Sequence, residues 1–141
     1  VARLVLRGVL GIVMIAHGVQ KVSSGGLGAA GASFERMGIP GGAVFGPLVA
    51  LLELAGGAAM LLGLLTPIVG ALFALTMLGA AVLVHGGNGF YAQAGGYEFA
   101  LVLAVLSAYL AVVGPGRLSV DSRLLVPVLR RRGDRAVPAG A

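Results

Sequence analysis

Four long apolar runs dominate the chain, at about residues 3–22, 43–65, 67–85 and 97–113, and they leave little else in its 141 residues. A hydrocarbon core about 30 Å thick needs about 20 helical residues to cross it. Four spans with their loops and a tail therefore use the whole length as a single unit. Only 11% of the residues are charged, against about a quarter in a soluble domain. Lipid is therefore the expected solvent. The first run follows Arg3 and Arg7 as a signal peptide would, but it continues through His17-Gly-Val-Gln-Lys21 without a small-x-small cleavage pattern, so it reads as a retained helix.

The expected fold is an all-α membrane protein, a bundle of four transmembrane helices spanning 1–125, followed by a basic cytoplasmic tail at 126–141. Between the first two spans, Leu27, Ala30, Phe34 and Met37 recur at helical spacing and predict a short amphipathic helix in the first outer loop. Thr66-Pro67 predicts a tight turn with proline opening the third helix. A glycine-rich loop at 86–96 carries Phe90 and Tyr91, residue types that suit a membrane interface. With four spans both termini share one side. That side holds Arg3, Arg7 and the tail's Arg117, Arg123, Arg130, Arg131, Arg132 and Arg135, against Lys21 and Arg36 on the other. The basic residues thus predict a multi-pass protein with both termini in the cytoplasm. Despite a net charge of +5, the arginines sit against a bilayer, so lipid rather than nucleic acid is their expected partner.

The ionisable residues within the spans converge. At about 1.5 Å per residue, His17, Lys21, Glu53, His85 and Glu98 all fall in the outer half of the bundle, although they come from four different helices. Arg3, Arg7, Leu10, Met14, His17 and Lys21 share one seam; Gly46, Ala50, Glu53, Gly57 and Met60 share another; Gly70, Ala74, Met77, Ala81 and His85 a third. The small residues beside Glu53 either let a neighbouring helix approach or leave room for a ligand. An acid near the bilayer centre costs a few kcal/mol on insertion scales, so Glu53 is the candidate catalytic residue, a proton relay. Its structural alternative is a buried hydrogen bond that locks helices together. His17, Lys21, His85 and Glu98 are the candidate ligand-binding residues. Three of them have a structural alternative too: Lys21 snorkelling to the interface, His85 and Glu98 capping helix ends. Both cations near Glu53 lie a turn or more closer to the surface, which predicts a water or a ligand headgroup bridging the gap. The methionines at 14, 60 and 77 suit core filling, and Tyr109 is expected to pack inside.

No cysteine is present, which removes thiol catalysis, disulfides and iron–sulfur ligation. Two histidines without ligand-like spacing argue against haem or metal. A redox role would then rest on a bound carrier such as a quinone, or on a partner protein.

The ordered pieces resemble the DoxX family of small four-helix bacterial membrane proteins. They are His17-Gly18 with Lys21, Gly38-Ile39-Pro40, Glu53 with Gly56-Gly57, Gly63-Leu64-Leu65-Thr66, Gly95-Gly96-Tyr97-Glu98, and Gly114-Pro115-Gly116-Arg117 with Ser119 and Asp121. Pro67 departs from the pattern, where a basic residue would be expected. The family is similar to the small membrane subunit of thiosulfate:quinone oxidoreductase, and mycobacterial members are linked to a membrane oxidoreductase assembly. The resemblance therefore implies an integral membrane subunit of a redox or respiratory-type complex, in which a quinone is the candidate cofactor in the outer polar pocket and other membrane or membrane-associated subunits are the expected partners. The competing expectation is a non-catalytic structural or scaffold subunit of a larger membrane complex. Whether the chain is itself an enzyme stays open at this level.

Overall fold

The computed structural model describes residues 1–125; the expected basic tail lies outside the described residues. Those described residues form helices and turns without strands. The long helices are α1 (Ala2–Val22), α3 (Gly42–Leu62), α4 (Thr66–Val84) and α5 (Glu98–Val113), with the short α2 (Gly26–Arg36) between the first two. Helices α1, α3 and α4 are long and apolar enough to cross a membrane, whereas α5, at 16 residues, is apolar but shorter. Their outer surfaces expose large aliphatic side chains, such as Val82 at 71% and Val112 at 86%, as a lipid-facing surface would.

Contacts between helix ends set the arrangement. The two most extensive helix packings are α1 on α3 and α4 on α5. The start of α1 meets the end of α3 and the segment after α5, since the Arg7 guanidinium donates to the carbonyls of Pro115 (2.6 Å), Leu118 (2.8 Å) and Leu61 (3.5 Å). Consecutive long helices therefore alternate in direction. Arg7, expected as a surface charge that sets orientation, is only 2% exposed. It lies on the seam that also buries Leu10 and Met14. Charge-assisted hydrogen bonds of this kind contribute about 1.5–3 kcal/mol each, and three acceptors make a buried guanidinium tolerable.

The turn from α3 to α4 closes this same end. Gly63 takes φ 68° and Leu65 φ 51°, so α3 stops at Leu62 rather than running on to 65. A left-handed leucine is unfavourable by about 1–2 kcal/mol, and Asp121 holds it in place: Oδ1 accepts from Leu65 N (2.8 Å) and Oδ2 from Thr66 N (3.0 Å). The carboxylate thereby meets the unpaired amides at the start of α4, where Pro67 follows as expected. A Cβ on Gly63 would run into the Arg7 guanidinium and Ser119. Glycine is needed there for both conformation and space.

Glycine also governs how α1 meets α3. A Cβ on Gly57 would lie 2.8 Å from the Gly11 carbonyl oxygen, and one on Gly18 would lie 2.8 Å from Leu54 Cγ. Backbones therefore touch, the small-residue packing of membrane helices. The interior is filled by Leu10, Met14, Met60, Phe73, Met77, Leu103 and Leu110, and the three core methionines sit where the seams put them.

Two expectations change. The amphipathic helix exists as α2, but Leu27 and Met37 stay exposed, and its contact face is Ala30 and Gly31. There Gly42 and Gly46 of α3 press against its backbone, so small residues rather than large apolar ones dock it. Tyr109 is 47% exposed, because Ser107 and Leu110 take the inward positions of α5.

Candidate functional site

At the end of the bundle opposite the α3–α4 turn, the open end, a cavity of about 1150 Å³ is bordered by α1, α2, α3, α4, the 86–96 loop and α5. Four of the five expected site residues line it: His17, Lys21, Glu53 and His85. Glu98 does not.

Glu53 lies inside a π-helical segment, Leu52–Gly56, that interrupts α3. One wider turn shifts the helical phase, and such insertions recur at functional sites. The carboxylate is 1% exposed and takes both its bonds from one partner, as Lys21 Nζ donates to Oε1 at 2.8 Å and to Oε2 at 2.7 Å. The expected bridging water or headgroup is therefore replaced by a direct pair. The reason is geometric: Gly18 brings α1 against Leu54, and the four-carbon stem of lysine reaches back down by about one turn. Lys21 itself is 24% exposed, so the pair has one buried end and one end facing the cavity.

His17 sits one turn below Lys21 on α1. Its Nδ1 lies 2.9 Å from the Val13 carbonyl oxygen, which can only accept, so Nδ1 carries a proton. Nε2 has no hydrogen-bond partner among the described residues. The ring stacks on Phe99 of α5, with centroids 6.0 Å apart and planes at 27°. Phe99, which helical spacing does not single out, thus fixes the imidazole from the opposite wall. Its one signal in the sequence is its place in the first turn of α5, beside Glu98.

His85 follows a second π segment, Ala80–Val84, at the end of α4. Its Nδ1 donates to the Gly95 carbonyl at 2.7 Å, which fastens the glycine-rich loop beside the cavity that His85 lines. Glu98 serves the loop alone: Oε1 accepts from Ala92 N at 2.9 Å. Phe90 also packs edge-on against Tyr97, within the loop.

The remaining lining is largely apolar, including Phe45, Val49, Leu75, Leu83 and Leu103, with Thr76, Gln20 and Arg36 as further polar groups. Among the described residues no three His, Asp or Glu side chains converge as a metal cluster. The arrangement is an apolar chamber with an ion pair and an imidazole on one wall, which can hold a ligand having an apolar body and hydrogen-bonding edges.

The DoxX family model matches residues 2–86, which carry α1, α2, α3 and α4 together with His17, Lys21, Glu53 and His85. The chain belongs to the DoxX family. It is 35% identical over 121 residues to a Bacillus subtilis protein named "Putative oxidoreductase CatD", with 86% of this chain and 85% of that one covered. It is 33% identical over 129 residues to a Mycobacterium tuberculosis protein named "Uncharacterized membrane protein Rv3486", covering 84% of this chain and 78% of the other. No solved structure matches it. Family membership and the apolar helices make this DoxX chain a membrane protein whose outer surface meets lipid.

Proposed function

We propose that this DoxX protein is the membrane-embedded subunit of a redox assembly in the bacterial inner membrane, and that its cavity binds a quinone headgroup. The observation that carries this reading is the Lys21–Glu53 pair on the wall of a largely apolar chamber, one turn from the His17 imidazole that lines the same chamber. The donor set fits such a group. Lys21 has a third N–H beyond the two given to Glu53, and His17 offers the hydrogen-bonding group of its Nε2. When bound, a quinone supplies the two-electron chemistry that a chain without cysteine lacks. Lys21 and His17 orient the headgroup, Phe99 keeps the imidazole in place, and the aliphatic walls exclude water. Glu53 and Lys21 form a hydrogen-bonded path along which a proton moves into the cavity. Electrons come from a partner subunit carrying its own redox centre, in keeping with one relative's name as an oxidoreductase.

Glu53→Gln tests the relay. The amide keeps an acceptor for Lys21 Nζ, and Lys21 is wet enough to tolerate a neutral partner, so the fold should persist. Quinone-reductase activity of native membranes, at matched protein level, should fall at least ~10-fold, a conservative bound beneath the roughly 10²–10⁴-fold that a positioned proton-transfer group supplies. Wild-type activity in this variant would end the relay and favour the scaffold reading. One observation supports that alternative: Glu53 ties α1 to α3, and His85 and Glu98 tie down a loop.

The orientation of the bundle is part of the same proposal. Four spans with both termini in the cytoplasm follow from the arginine excess at 3, 7 and 117–135. A reporter active only in the periplasm should stay silent when fused after Arg135 and give signal when fused within the 86–96 loop. The reverse pattern would invert the cavity relative to the membrane.

A further inference from the structure

Helices α3 and α4 are close at one end and apart at the other. Near their shared turn they touch: a Cβ on Gly56 would lie 3.0 Å from Phe73 Cζ and 3.3 Å from Val69 Cγ1. Toward the open end the cavity separates them, with Phe45, Val49 and Glu53 on the α3 side and Leu75, Gly79 and Leu83 on the α4 side. The rim residues Phe45, Leu75 and Leu83 are 55%, 67% and 59% exposed, on the flank where these helices meet lipid. The chamber thus has Lys21 and His17 on its α1 wall and a gap between α3 and α4 whose rim is apolar. From this we infer that the gap is a lateral window, and that the ligand is a lipid-borne amphiphile, its hydrogen-bonding head against Lys21 and His17 and its long apolar tail passing between α3 and α4 into the bilayer.

Three features carry this. The cavity, at about 1150 Å³, is larger than the roughly 300–1,000 Å³ that encloses a drug-sized molecule. The Lys21–Glu53 pair and His17 lie together on one side of it, whereas Phe45, Leu75 and Leu83 edge the gap, as a head-and-tail ligand requires. The mouth between the helices is edged with aliphatic and aromatic side chains, so a ligand already dissolved in the membrane crosses it without exposing its tail to water.

Gly79 provides the test. It borders the cavity on α4, on the same helical face as Leu75 and Leu83, and a Cβ there meets nothing within 4 Å, so the position has open space in which a larger side chain can begin. The experiment uses the full chain in lipid nanodiscs and two probes, a quinone with a long isoprenoid tail and a tail-less water-soluble quinone. Binding of each is titrated to wild type, to Gly79→Trp, and to Gly79→Ala as a control for folding. In Gly79→Trp, affinity for the tailed quinone should fall at least ~10-fold while affinity for the tail-less one stays within about twofold; Gly79→Ala should resemble wild type with both. Equal affinity of Gly79→Trp and wild type for the tailed probe would overturn the window, as would equal loss of both probes. The inference rests on the headgroup reading above, and the two fail differently. Wild type binding neither probe overturns that reading and the window with it; wild type binding the tail-less probe alone overturns only the window.

Discussion

Lys21→Met should destabilise the protein by about 3 kcal/mol, and adding Glu53→Leu to it should restore most of the loss. Removing one member of a buried pair typically costs about 3–5 kcal/mol, because the other is left charged and without a partner. Here the orphan would be Glu53, at 1% exposure. The lower figure applies because Lys21 is partly wet, so some of its attraction is already screened. Replacing both partners with apolar residues removes the desolvation cost altogether, and such replacements are often neutral or stabilising. Glu53→Gln should do much less harm than Lys21→Met, since it leaves the wetter partner behind. Unfolding titrations in mixed detergent micelles would rank the variants. A double variant no more stable than Lys21→Met would show that the pair contributes specific geometry rather than mutual neutralisation.

Gly57→Leu should be comparably severe. A Cβ at this position would lie 2.7 Å from Ile15 Cγ1 and 2.8 Å from the Gly11 carbonyl oxygen. Backbone stands in the way, so α1 would have to retreat. Overpacking generally costs about 1–3 kcal/mol, and this site belongs at the upper end because the displaced helix also carries Lys21 away from Glu53. Leu61→Ala, one turn further along α3, trims a side chain that is 37% exposed and should cost less. Equal thermal stability of the two variants would contradict the close α1–α3 approach.

Much of this architecture is legible in the amino-acid sequence because helical seams convert spacing into facing. The spacing of Leu10, Met14, His17 and Lys21, and of Ala50, Glu53, Gly57 and Met60, marks the inward faces of α1 and α3. The ambiguity over small residues beside Glu53 resolves toward approach: Gly46, Gly56 and Gly57 all face neighbouring backbone or side chains, while Val49 and Phe45 border the cavity. What spacing does not supply is reach. The direct Lys21–Glu53 pair depends on a helix crossing set by Gly18 and on a π segment that no local composition announces. Spacing puts Glu98 at the right depth, but its carboxylate turns back to the amide of Ala92, which opens the short 3-10 turn Ala92–Ala94, where the first backbone donors have no partner within the turn. Arg7 looks like a surface charge when arginines are only counted, although its own seam points inward.

Arg7 also imposes an order in time. Its acceptors at Pro115 and Leu118 lie 108 and 111 residues further along the chain. At about 5–20 residues per second, synthesis reaches them roughly 5–20 s after Arg7 itself. During that interval the guanidinium of a newly inserted α1 has, of its three carbonyl acceptors, at most Leu61, 54 residues on, with water and lipid headgroups as its other partners, which keeps the start of the helix at the surface where it began. When the last segment arrives, the same side chain exchanges those partners for Pro115 and Leu118 and is drawn beneath them. One arginine therefore serves first as a mooring for the youngest helix and later as the latch that the end of the chain closes.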